Sequence, residues 1–311
     1  MKVTFKKFAL AAAVAAAVIA PVAANASALG MADLAILNLF LVDASNNQPI
    51  TTGITINGTQ NTGNATSDYN GVTGTGAGPS TGTSAGNVDV KFQLAGASAA
   101  SISAAYGGTI ENNTSTHIGT AIANYGLGDM FISGTAIGAG GTQGLTRANT
   151  ASVGPTNIGG ANSTIQNSAS VTTNFTATTT RNVFFHLDFD IFLKTAVSLL
   201  AGETAAATAS TSWGLNIANN TTGNQNFFTW NPTELARNFS TFNAAPGSQR
   251  LYALIGGIDS PIGVLTAGNN YSLTISQNSN ASVRDLPEPG SIALLGLGLV
   301  GLVAMRRRAV K

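Results

Sequence analysis

The sequence contains no cysteine, which removes disulfide frameworks, thiolate nucleophiles and cysteine metal sites together. Charge is nearly as scarce: 9% of the 311 residues are Asp, Glu, Lys or Arg, against a globular norm of about 25%. That scarcity argues against a cytosolic helical enzyme, a coiled coil or a nucleic-acid binder. Histidine occurs twice, at His117 and His186. Helical periodicity is nearly absent, and the long apolar runs sit near the two ends. What is plentiful is glycine, with 36 residues, together with Ser, Thr, Asn and Ala.

The first run is preceded by Lys2, Lys6 and Lys7, spans Phe8 to Ala20, and closes on Pro21-Val22-Ala23-Ala24-Asn25-Ala26-Ser27. A basic start, a short apolar stretch and a small-x-small exit make a secretory signal peptide over residues 1–26. Ala24 and Ala26 supply the small positions, and cleavage is expected between Ala26 and Ser27. The remainder is then extracytoplasmic.

The second run lies between Pro287-Glu288-Pro289 and Arg306-Arg307-Arg308. Residues 291–305 form an apolar helix that, at ~1.5 Å per residue, falls short of a ~30 Å hydrocarbon core. The arginine cluster acts as a stop-transfer signal and stays cytoplasmic. The glycines Gly296, Gly298 and Gly301 spell a dinucleotide-binding pattern, but inside an apolar helix they serve close helix packing.

Tripeptide, short helix, basic tail and terminal position together resemble the PEP-CTERM sorting signal of exopolysaccharide-producing Gram-negative bacteria. The resemblance covers residues 286–311. It implies recognition of Pro287, Glu288 and Pro289 by the membrane protease exosortase, removal of the helix and tail, and delivery to the cell surface or extracellular matrix. The two prolines would keep the recognition site extended. Both processing steps change the charge balance: of 14 cations, seven are lost with the ends, leaving seven against 13 acids if Glu288 is retained. The mature chain is mildly acidic, with no basic patch for nucleic acid or anionic membrane.

Residues 27–285 read as an all-β body. From Asn182 to Ser198, Val183, Phe185, Leu187, Phe189, Ile191 and Leu193 share one face, with His186, Asp188, Asp190 and Lys194 on the other. In the next run, Ala205, Ala207, Ala209, Thr211, Trp213, Leu215 and Ile217 share a face, and the two runs are expected to pair as a long hairpin. Further strands are expected at 34–42, 50–56, 88–94, 99–106, 127–137, 171–179, 251–258 and 271–276. Many short strands with turn-rich connections indicate an antiparallel β-sandwich, jelly-roll-like connectivity included. Between Asn57 and Gly86, 22 of 30 residues are Gly, Ser, Thr or Asn, which predicts a flexible excursion over 57–86. Residues 138–170 are expected to be a partly ordered loop.

Motifs carrying chemistry are few. Gly78-Pro79-Ser80-Thr81-Gly82 matches a nucleophile elbow, but lies in the least apolar tract, without the strand and helix that chemistry needs. His117 stands in a polar setting with no acid beside it. His186, Asp188 and Asp190 line one strand face and are the candidate metal ligands, calcium suiting the carboxylates. Trp213, Trp230, Phe227, Phe228 and Tyr252 serve either as core or as a sugar-stacking platform. No site is complete enough for catalysis, and no cofactor is expected.

The expected function is therefore an exported, non-enzymatic structural protein of the cell surface or biofilm matrix, cleaved through its C-terminal signal. A carbohydrate-binding or adhesive module is the alternative, and a secreted hydrolase the third reading. Expected partners are signal peptidase, an exosortase-type protease and exopolysaccharide, with transient membrane association and no nucleic acid.

Overall fold

The computed structural model describes residues 27–286 apart from 57, 75–80, 85, 97–123, 138–139, 154–157, 169–172, 175–179, 199–203, 222–224 and 243–247. The signal peptide, the sorting tripeptide, the apolar helix 291–305, the arginine cluster and His117 lie outside the described residues. Among the described residues there is no helix, hence none long and apolar enough to cross a membrane.

The chain forms β1 (Ser27–Asp43), β2 (Gln48–Pro49), β3 (Gln60–Tyr69), β4 (Val72–Thr73), β5 (Thr81–Ser84), β6 (Val88–Ala95), β7 (Tyr125–Gly134), β8 (Thr142–Val153) and β9 (Ile158–Ser168). There follow β10 (Thr173–Asn174), β11 (Arg181–Ser198), β12 (Thr204–Asn219), β13 (Gln225–Trp230), β14 (Arg237–Phe242), β15 (Ser248–Asp259), β16 (Gly263–Leu265) and β17 (Asn270–Leu286). They build two antiparallel sheets. The first runs β15-β11-β1-β8-β7-β6, with β16 beside β11 and β2 beside β1. The second runs β13-β12-β17-β9-β3-β4, with β14 on β12, β10 on β17 and β5 on β3.

The two sheets face each other over a core that changes in thickness. At one end Phe185, Phe189 and Ile191 of β11 and Leu34 and Leu41 of β1 meet Trp213 and Leu215 of β12 and Tyr271 and Ile275 of β17. Each buried Leu, Ile or Phe contributes about 1.5–3 kcal/mol by leaving water. At the other end the contact is made by small residues, Ala28 with Ala205 and Ala207, and Ala148 with Ala281. There the sheets come so close that a Cβ on Gly30 would lie 2.6 Å from the Thr208 carbonyl oxygen. Polar bonds also cross between the sheets: Gln277 Nε2 donates to the Leu34 carbonyl at 2.7 Å, and Thr146 and Ser279 share a hydroxyl bond of 2.8 Å.

Three expectations are corrected. The two long runs do not form a hairpin: β11 pairs with β1, β15 and β16, whereas β12 pairs with β17, β13 and β14 in the opposite sheet. Their apolar faces look at each other across the core, which buries both although the two strands share no ladder. The tract 57–86 is not a flexible excursion throughout, because β3 pairs with β9 over ten positions and β4 and β5 pair with β3. The loop expected over 138–170 holds β8 and β9; β8 pairs on both sides, with β1 and β7.

Candidate functional site

Three regions bear on function. The first is the polar row on β11. His186 Nε2 lies 3.2 Å from Asp188 Oδ1, and Nδ1 lies 2.5 Å from Asp259 Oδ1 on the neighbouring β15. The Phe40 ring of β1 packs 5.3 Å from the imidazole, centroid to centroid. Burial works against the protonated ring, but the bond to Asp259 and the charges of Asp188 and Asp259 outweigh it and raise the His186 pKa above its ordinary value. The arrangement is a charged clamp between two strands.

Asp190 is not part of it. Four residues of extended chain, roughly 13 Å, separate it from His186, and its side chain sits 1% exposed between Ala35 and Ile255 in the ladder. Among the described residues, no group of three or more His, Cys, Asp or Glu is placed to hold a metal ion. His186, Asp188 and Asp190 therefore do not converge on one point in the fold. Asp259, the partner that sequence reasoning missed, becomes recognisable only once the β11–β15 register is known.

The second region is aromatic. Trp213 and Trp230 pack edge to face at 5.4 Å and are 3% and 8% exposed, while Phe227, Phe228 and Tyr252 are partly buried against the same core. These rings are core, and offer no open stacking platform. Tyr252 also carries the Arg237 guanidinium 4.7 Å above its ring.

That arginine leads to the third region, an open groove of about 370 Å³ on the outer face of the second sheet. Its floor is Ser210 and Ser212 of β12 with Asn278 and Asn280 of β17, and Arg237 and Asn238 at the start of β14 form one wall. The ladder pairs Ser210 with Asn280 and Ser212 with Asn278, so alternation puts hydroxyls and amides side by side on the solvent face. Asn278 Oδ1 accepts no hydrogen bond among the described residues. Such a surface can bind polyols through neutral donors and acceptors, and it contains no nucleophile paired with a base.

The last strand meets the sorting tail directly. Leu286 pairs with Thr204, and Asp285 beside it is buried, accepting a hydrogen bond from Ser152 of the opposite sheet. Pro287, which has no N–H to donate, is the next residue. Residues 285–308 match the model of the PEP-CTERM protein-sorting motif. The tail is a PEP-CTERM motif. It contains Pro287, Glu288, Pro289 and the three arginines, and it implies export, exosortase processing and sorting to the cell surface. No curated protein and no solved structure matches the chain significantly. The motif begins where the body ends, overlapping it by Asp285 and Leu286.

Proposed function

We propose that the mature chain is a non-enzymatic structural protein of the cell surface or biofilm matrix, displayed after signal peptidase and exosortase have removed its two ends. The observation that carries the reading is the PEP-CTERM motif following a closed two-sheet body without a linker. Low charge, neutral hydroxyl and amide surfaces and the lack of a motif in catalytic context support it. Intact mass of the protein recovered from the cell surface and the medium tests it, beside a Pro287→Ala, Glu288→Ala variant. The expected wild-type mass lacks residues 1–26 and the stretch beyond Pro289, and the variant is retained uncut in membranes. An intact C-terminus in the wild type, held in the membrane fraction, would overturn the proposal.

A second reading, a glycan-binding or adhesive module, draws on the groove around Asn278 and Arg237. Neutral amides and hydroxyls match the hydroxyls of an exopolysaccharide, and extracellular display would bring the two together. Calorimetric titration with the purified exopolysaccharide of the producing cell is the test. Heat that disappears in Asn278→Ala supports it; silence of the wild type rejects it.

A further inference from the structure

Of the eight large apolar side chains exposed among the described residues, five lie between Leu251 and Val264. Leu251, Leu254 and Ile255 stand on β15, the terminal strand of the first sheet, with Leu251 59% and Ile255 53% exposed. Ile262 and Val264 continue the same border through β16, which also pairs with β11. One side of β15 is laddered to β11 without interruption from Ser248 to Asp259. The other side has no partner strand among the described residues. It presents about 40 Å of backbone donors and acceptors flanked by apolar side chains.

Native proteins usually blunt such borders with bulges, lysines, prolines or short strands. The other borders here follow that pattern. At the opposite end of the first sheet, β6 carries Asp89 and Lys91 and a bulge between Val90 and Gln93. In the second sheet β13 and β14 are six residues each, and β4 is two. β15 is long and unbroken, and has no charge between Arg250 and Asp259. Asp259 is itself held by His186. The contrast sets β15 apart as a surface kept open for pairing.

We propose that β15 is the dimerisation edge of this protein, pairing antiparallel with β15 of a second copy to join the two first sheets into one. A second copy fits because the strand complements itself about a twofold axis normal to the sheet, which keeps like faces together. With Ala253 on the axis, Leu251 lies opposite the partner's Ile255 and Tyr252 opposite the partner's Leu254. The long Gln249 and Arg250 side chains then fall opposite the partner's Gly257 and Gly256, where there is no side chain to meet them. At this register the eleven residues Ser248 to Ile258 pair and supply about one hydrogen bond per residue, and the closed twofold arrangement stops at two copies.

Sedimentation velocity of the processed protein across a wide concentration range reads the outcome. The wild type is expected to sediment as a dimer, and Ile255→Lys as a monomer with an unchanged far-ultraviolet spectrum, because a lysine there blunts the edge. The absence of native cysteine gives a second, independent measurement. Ala253→Cys places each thiol opposite its copy at a Cα spacing of ~4.5–5.5 Å, within disulfide range, and is expected to cross-link under mild oxidation. Thr208→Cys, on the outer face of the other sheet, is expected to stay monomeric. A wild type that remains monomeric throughout, a dimer that survives Ile255→Lys, polymers that grow past two copies, or equal cross-linking of both cysteine variants would each overturn the proposal. A monomer with correctly processed ends sinks the dimer alone and leaves the sorting reading standing.

Discussion

Arg147 is among the largest fully buried side chains of the described residues, and it lies between carboxylates. The ladders place it opposite Asp33 on β1 and Asp129 on β7, and its Nε is 3.7 Å from Asp129 Oδ2 with both groups almost wholly out of water. A charge buried beside acids is strongly coupled to them, so its removal costs more than its contacts contribute. Arg147→Met is expected to lower unfolding stability by about 3–5 kcal/mol in urea denaturation; a loss below about 1 kcal/mol would mean that the carboxylates are relieved by water. His186 behaves oppositely with pH. Because its folded pKa is raised, the clamp stabilises fully below the unfolded value of ~6.5 and is lost as pH climbs through the folded value. The wild-type melting temperature should fall relative to His186→Gln over that rise, and parallel pH profiles would dissociate the clamp from stability. Neither network was legible beforehand. The alternation of β11 located His186 and Asp188 on one face, but Asp259 and Arg147 come from distant segments whose register no spacing encodes.

At the scale of strands, alternation was readable wherever the buried face is large and apolar. It placed Phe185, Leu187, Phe189 and Ile191 correctly and identified the inward face of β12. It failed where the sandwich thins. β8 buries Thr146, Arg147, Asn149, Thr150 and Ser152 along with its alanines, so both faces are buried with no apolar period to read. β3 likewise buries Asn61, Ala65 and Ser67. The hairpin between β11 and β12 was misread because two strands that face each other across a core carry the same alternation as two strands that pair. The thin end makes its own prediction. Gly30 faces the Thr208 and Ser282 carbonyl oxygens at 2.6 and 3.2 Å from where a Cβ would stand, both of them backbone, so relief requires the sheets to part. Gly30→Val should cost about 1–3 kcal/mol or more by overpacking, with the near-ultraviolet spectrum altered. Val283→Ala, a deletion in the neighbouring small-residue cluster, should cost no more than the lower part of that range. Equal stability of Gly30→Val and wild type would show that the sheets do not meet as closely as their glycine allows.

For the molecule as a whole, the two ends of the body share one end of the sandwich. Ser27 pairs with Ser198 at the close of β11, and Leu286 pairs with Thr204 at the opening of β12, six residues further along the chain. Ala28, Val197, Ala205 and Val283 pack together there. The expected signal-peptide cut and the PEP-CTERM motif therefore flank the same end, and both tethers would hold the body to the membrane at that point. The strands they lead into are interior ones: β1 lies between β8 and β11, and β17 between β12 and β9. The second sheet cannot close until residue 286 has been exported, and pairings so distant in sequence fold slowly. On the proposed reading, the sorting tail would keep the chain at the membrane during that interval and give the body time to complete before release. A chain of residues 27–286 should unfold cooperatively at the same temperature as the processed protein, whereas residues 27–276, lacking the last ten positions of β17, should show no cooperative transition in circular dichroism. Gln277 and Ser279 join the two sheets and Asp285 bonds to Ser152, so those ten positions hold the second sheet against the first. Cooperative melting of the shorter chain would place the folding unit upstream of β17 and would detach the timing of release from the completion of the fold.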